Sequence, residues 1–261
     1  MTIYILVLLA FLMHVGFAGS RLAVPLFAVD QGATPFVVGT VVALYAALPA
    51  VLALAVGRMT DRLGFKIPLL FGSSGVFALL KIKPLRNTLI ASGIVSSAWD
   101  LYQFFIPIYG SAQGLSATAI GVVMSAFAVA IILVRAVLPF AVRRTGEAQM
   151  LTYAMFVASA AFCLFPLFHG AWTLAAVSFL LGVGCGVAQP LSMTLVYNTS
   201  PPGRAGEAAG MRITVNQVTH FMIPLLFGGL GSVAGYAVVF LTNAGFLVVG
   251  GWISMRYHGK C

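Results

Sequence analysis

Apolar and polar positions in this chain alternate on the scale of whole helices rather than of single residues. Eight stretches, 3–26, 36–56, 88–109, 117–140, 150–168, 171–196, 212–230 and 234–255, are almost continuously apolar, with short polar or basic segments between them. Each approaches or exceeds the roughly 20 residues that a helix needs to cross about 30 Å of hydrocarbon. None shows the two-residue alternation of a barrel strand. The pattern predicts an all-α fold, a polytopic transmembrane helical bundle of eight full spans plus one short apolar segment. That segment, 67–80, reaches only about 21 Å at helical rise, and Lys81 and Lys83 block its extension.

Composition removes the alternatives. The 261 residues are 61% hydrophobic and only 7% charged, with a mean hydropathy of +1.06. So few charges cannot solvate a soluble domain or keep a chain disordered. The net charge of +9 invites a nucleic-acid reading, but the basic residues sort by loop. With the N-terminus inside, loops 57–66, 81–87, 141–149 and 197–211 and the tail 256–261 hold Arg58, Arg62, Lys66, Lys81, Lys83, Arg86, Arg143, Arg144, Arg204, Arg256 and Lys260. Arg212 falls at the inner edge of its span. The outer loops 27–35, 110–116, 169–170 and 231–233 hold no Lys or Arg. This is a positive-inside distribution with both termini cytoplasmic, and no nucleic-acid partner is implied. Completing a crossing at 67–80 would invert every later loop, so that segment is expected to stop short. No Lys or Arg precedes Arg21, so the first apolar run reads as a retained helix rather than a signal peptide. Cys163, Cys185 and Cys261 form no metal or redox spacing.

An ungapped internal repeat runs through the chain. Pro25 and Pro107, Gln31-Gly32 and Gln113-Gly114, Gly39 and Gly121, Arg62 and Arg144, and Gly64 and Gly146 all lie 82 positions apart. Each copy is a helix, an outer Gln-Gly turn, a second helix and a basic inner turn. Four spans follow Gly146, whereas Gly64 is followed only by the short segment. The chain therefore divides into an incomplete unit, 1–80, and a complete six-helix unit, 81–261, with an internal block missing near residue 80.

Gly57-Arg58-Met59-Thr60-Asp61-Arg62-Leu63-Gly64-Phe65-Lys66 resembles the loop between helices 2 and 3 of the major facilitator superfamily, with Phe65 replacing the usual basic residue. Gly203-Arg204-Ala205-Gly206-Glu207 with Gly210 is similar to that family's loop between helices 10 and 11. The parallel half-repeats agree with the family's organisation. The resemblance covers almost the whole chain and implies helices 1, 2, part of 3, and 7 to 12. Helices 4 to 6 are missing, among them the helix 5 Gly-Pro signature of antiporters, so the resemblance leaves direction open. It also implies a gating role for Gly57, Asp61, Arg62, Gly64 and Lys66. Asp61 would sit near the start of the helix around Arg212, where a carboxylate favours the positive end of the dipole.

Ionisable groups inside spans are expensive and mark function by default. Asp100 lies about halfway along its span, and Gln103 shares its helical face. His220, with Asn216 and Gln217, makes a polar stripe on the seventh span. Arg21 and His14 share a face of the first, and Arg135 lies near an inner end, positioned to snorkel. These residues are candidates for a substrate or proton pathway, each against a structural alternative of packing, ion pairing or interhelical hydrogen bonding. No phosphate loop, zinc motif, dinucleotide fingerprint or nucleophile elbow is present, so an enzyme, a cofactor and a metal are not expected. Gly182, Gly184 and Gly186 should admit a close helix neighbour.

The expectation is a secondary transporter of a small organic solute across the cytoplasmic, or inner, membrane. It works by alternating access, coupled to protons or another ion, in the direction of efflux. The alternative is a transport-inactive, internally deleted remnant or a structural membrane partner. The incomplete unit would leave polar groups facing lipid unless a second copy covered them, which makes a homo-oligomer possible.

Overall fold

A computed structural model describes residues 23–25, 27–44, 79–202 and 204–258, and the regular elements among them are helices. Residues 27–30 are helical and turn into α1, Pro35–Leu44. Six long helices follow: α2 (Lys83–Ala112), α3 (Ala117–Thr145), α4 (Glu147–Leu164), α5 (Ala171–Thr199), α6 (Ala205–Ala234) and α7 (Tyr236–His258). A 3-10 turn, Phe165–Leu167, extends α4. All six are long and apolar enough to cross a membrane. Of the eight expected spans, these are the last six. Most of 3–26 and 36–56, and 67–78 of the short segment, lie outside the described residues.

Most of the helices are longer than their apolar runs. α2 begins at Lys83, with Pro84 in its first turn where the missing N–H costs nothing, so little of 81–87 is loop. Likewise 197–211 is mostly helix, because α5 runs to Thr199 and α6 starts at Ala205. Hydropathy ends a span at the first charge, whereas backbone hydrogen bonding continues as long as the charged side chain finds partners. The 30 residues of α2 reach about 45 Å, so α2 tilts or projects beyond the hydrocarbon.

The repeat is present in the backbone. Gly32 and Gly114 both take the left-handed conformation, with φ of 78° and 75°. Gln31, Gly32 and Ala33 donate to the carbonyls of Phe27, Val29 and Ala28, and Gln113, Gly114 and Leu115 donate to those of Tyr109, Ser111 and Gly110. Every donor and acceptor is shifted by the same 82 positions. The N-caps match too. The Thr34 hydroxyl accepts from the Val37 N–H and the Ser116 hydroxyl from the Ala119 N–H.

Single glycines also make two further joints, one on each side of the bundle. Gly146 (φ 80°) links α3 to α4, and Gly235 (φ 83°) links α6 to α7. Arg143 and Arg144 close α3 and Glu147 opens α4, each suiting the dipole end it meets.

α5 is the central helix, packed on α3 and α4, while α2 packs on α6 and α4 on α7. The expected small-residue approach occurs. A Cβ on Gly182 would sit 2.5 Å from the Phe127 carbonyl of α3, and one on Gly184 would sit 2.8 Å from the Ala154 carbonyl of α4. Stacked and edge-on rings of Phe105, Tyr109, Phe162, Phe165, Tyr236 and Phe240 bind α2, α4 and α7. α3 presents Ile132, Leu133, Val137 and Phe140 outward, as a lipid-facing helix does.

Candidate functional site

Three helices place their polar side chains in one layer. On α2, Ser92, Ser96 and Asp100 recur every four residues, and on α6 so do Arg212, Asn216 and His220. Four residues on a helix return to the same face, so each helix carries a polar ladder, and the two ladders face each other. The hydroxyls of Ser92 and Ser96 donate to Asn216 Oδ1 at 3.3 and 2.9 Å. One rung along, His220 Nδ1 meets Asp100 Oδ1. Asp100 is 2% exposed, and His220 is half-buried. Asp100 thus finds an imidazole partner on α6, whereas Arg21, the ion-pair partner considered for it from the sequence, lies outside the described residues.

α5 closes the layer. Gln189 Nε2 donates to Ser96 Oγ at 3.5 Å. Arg212 reaches across from α6, with Nη2 2.8 Å from Gln189 Oε1, 3.1 Å from the Gln189 carbonyl and 2.8 Å from Ser192 Oγ. Its Nε lies 3.2 Å from the same hydroxyl. The layer continues from the Asp100–His220 pair through Asn216, Ser96 and Gln189 to Arg212.

Of the sequence-derived candidates, the fold brings Asp100, His220 and Asn216 together. Gln103 and Gln217 are half-buried, and neither makes a side-chain hydrogen bond among the described residues. Arg21, His14, Gly57, Asp61, Arg62, Gly64 and Lys66 lie outside the described residues. Arg135 is exposed, and its Nε donates to the Gly186 carbonyl at 3.3 Å. That carbonyl needs a donor, because Pro190, four residues on, has no N–H to offer it. Arg135 thereby does more than snorkel: it ties α3 to the proline turn of α5.

Sequence reasoning missed Arg212, Gln189, Ser92, Ser96 and Ser192. The matched four-residue spacings at 92, 96, 100 and 212, 216, 220 were the available signal.

A carboxylate and an imidazole in hydrogen-bond contact can hold one proton between them and release it when either side chain is drawn away. The remaining side chains are neutral donors and acceptors plus one guanidinium, which suits reversible binding of a polar solute. No three His, Cys, Asp or Glu side chains group as a metal site would require, among the described residues.

Residues 88–259 match the family model of the Major Facilitator Superfamily, a stretch that contains the whole polar layer. Comparison with curated proteins finds no match.

Proposed function

The chain belongs to the Major Facilitator Superfamily, and from that membership we propose that it exports a small organic solute across the cytoplasmic membrane by alternating access, with protons as the coupling ion. The membership and the six apolar helices make it a multi-pass membrane protein of a transporter family. The proton is the further step, and the Asp100–His220 contact carries it. A buried acid and a titratable base sit on different helices, midway along both. With the pair protonated once, α2 and α6 are held together. When the solute or a helix movement separates them, the pair gives its proton to whichever side is open. The cytoplasmic placement of both termini belongs to the same reading and follows from the basic loops.

Liposomes reconstituted with the full chain and a trapped pH dye test this reading. A solute panel should include at least one compound whose addition moves protons in the wild type, and Asp100→Asn should leave that response at the level of empty liposomes. Equal proton movement in the Asn variant refutes the assignment.

A transport-inactive, internally deleted remnant is the second reading, favoured by the short segment at 67–80 after only one copy of the repeat. In that case no solute moves protons, and the coding DNA carries a complete paralogue nearby. A homo-oligomer covering the incomplete unit is the third possibility, and native mass spectrometry in detergent distinguishes it from a monomer.

A further inference from the structure

A guanidinium carries donors and no acceptor, so every hydrogen bond it makes has a fixed direction. Arg212 Nη2 lies 2.8 Å from Gln189 Oε1. The Gln189 carboxamide therefore turns its oxygen to Arg212 and its NH2 towards Ser96, 3.5 Å from the hydroxyl. Two donors cannot face each other, so Ser96 accepts on that side and sends its own proton the other way. Its target is Asn216 Oδ1 at 2.9 Å, and the Ser92 hydroxyl donates to the same oxygen at 3.3 Å. The direction of each bond from Arg212 through Gln189 and Ser96 to Asn216 is thus set at the arginine end. The oxygen of Asn216 is used by two hydroxyls of α2, and its NH2 is left to face away from them.

This NH2 is an open end. Asn216 is half-buried, and Nδ2 makes no hydrogen bond among the described residues. It is not enclosed, as the Nδ2 atoms of Asn87 and Asn243 are. His220 follows one turn along the same face of α6, with its side chain 24% exposed. Accessible surface therefore extends from the Asn216 donor to the ring of the Asp100–His220 pair.

We propose that Asn216 is a one-way subsite that donates to an acceptor atom of an uncharged solute, a carbonyl oxygen or a ring nitrogen, and disfavours solutes that only donate. Gln189 and Arg212 are its positioning residues. Without them the Asn216 amide turns over freely and offers its oxygen as readily as its nitrogen. An acceptor held at Asn216 lies about 6 Å along α6 from His220, so the body of a small solute meets the imidazole. As a substrate class this rests on the transporter reading, whereas the donor–acceptor preference is measured without transport.

The test uses the purified full chain in nanodiscs at alkaline pH, with two bicyclic aromatic probes of similar size. Quinoline, uncharged there, accepts a hydrogen bond and has none to give. Indole gives one and has no lone pair to accept with. Quinoline should raise the melting temperature saturably, with a half-saturation roughly tenfold below that of indole, as one well-made bond against an unsatisfied donor requires. Asn216→Asp, which has no NH2 to present, should lose the preference. Gln189→Glu keeps the shape and the contact with Arg212 but turns an oxygen to Ser96. The Ser96 proton then goes to position 189, the amide of Asn216 is released, and the preference should vanish although the fold is kept. Equal half-saturations in the wild type, or a tighter response to indole, overturn the proposal without needing any variant to fold. So does a preference retained in either variant. Proton movement driven by a solute, in a chain that prefers neither probe, sinks the subsite and leaves the transporter reading standing. A tenfold preference without flux of any solute keeps the subsite and sinks the transporter reading.

Discussion

Gly39 and Gly121 occupy the same place in the two copies of the repeat, yet among the described residues only Gly39 lies against another helix. A Cβ on Gly39 would stand 2.2 Å from the Pro224 carbonyl oxygen of α6, and Gly228 of α6 lies correspondingly close to the Pro35 carbonyl of α1. At Gly121 no heavy atom of a described residue comes within 4 Å of the same point. α1 thus docks on the complete unit through its glycine. The equivalent helix α3 carries a glycine prepared for a neighbour of the kind that α6 gives to α1.

Substitution at the two glycines should separate them. Gly39→Val should loosen α1 from α6 and cost about 1–3 kcal/mol, the usual range for overpacking a tight contact. Gly121→Val should change stability by less than about 0.5 kcal/mol, as a substitution touching nothing does. Melting curves of the two variants in the same detergent decide the matter. A Gly121 variant as damaged as the Gly39 variant would show that α3 has a tight neighbour after all.

The Asp100–His220 pair predicts a specific non-additivity. If the two side chains hold one proton between them, losing either removes the coupling and losing both removes nothing more. Asp100→Asn, His220→Asn and the double variant should therefore all show proton movement at the background of empty liposomes. The substitution His14→Ala lies outside the pair and should be milder. Retained coupling in either pair variant would mean that the proton travels elsewhere.

Much of this architecture is legible in the chain before folding. Each of the six runs from 88 to 255 coincides with one observed helix to within a few residues, and the offset that pairs Gly32 with Gly114 reappears as a shared left-handed turn. Asp100 and His220 stand out because an ionisable group in an apolar run is conspicuous. Their contact did not stand out, since hydropathy carries no information on which faces of two helices meet. Ser92, Ser96 and Ser192 were invisible for another reason. Serine is a common packing residue in membrane helices, and only its spacing beside Asp100 shows that it belongs to a ladder. Arg212 was assigned to the inner edge of a span because the apolar count begins there. α6 in fact starts about two turns earlier, at Ala205, and draws Arg212 into the layer.

Arg135 and Pro190 should prove coupled. Pro190 frees the Gly186 carbonyl, and Arg135 donates to it. In the wild type, Arg135→Leu should cost about 1 kcal/mol, the net worth of a typical hydrogen bond. With Pro190→Ala the helix N–H returns to that carbonyl, and Arg135→Leu should then cost almost nothing. Unfolding in a denaturing detergent, run on the four members of the cycle, isolates this term from any gain that leucine makes against lipid. An equal cost on both backgrounds would show that the arginine acts some other way.

The disposition of helix ends makes the last prediction, on orientation. α2, α4 and α6 begin, and α3, α5 and α7 end, on one side of the bundle. The basic residues Lys81, Lys83, Arg86, Arg143, Arg144, Arg204 and Arg256 all lie at or near those ends. The opposite turns, around Gly114, His169 and Gly235, contain no Lys or Arg. Retaining lysine and arginine on the cytoplasmic side is the strongest topological rule for helical membrane proteins, and here the asymmetry is complete across the described turns. Cysteines introduced singly at 83, 144 and 204, with the native Cys163, Cys185 and Cys261 replaced, should react with an impermeant maleimide only in inverted vesicles. Cysteines at 114, 169 and 235 should react only in intact cells. The 83 position directly follows 67–80 and, together with 144 and 204, reports whether that segment completes a crossing. At about 21 Å of helix against about 30 Å of hydrocarbon, it should not. Labelling of position 83 from outside together with 144 from inside would place two positions that the fold puts on one side of the bundle on opposite sides of the membrane. That result would overturn both the orientation and the fold of α2 against α3.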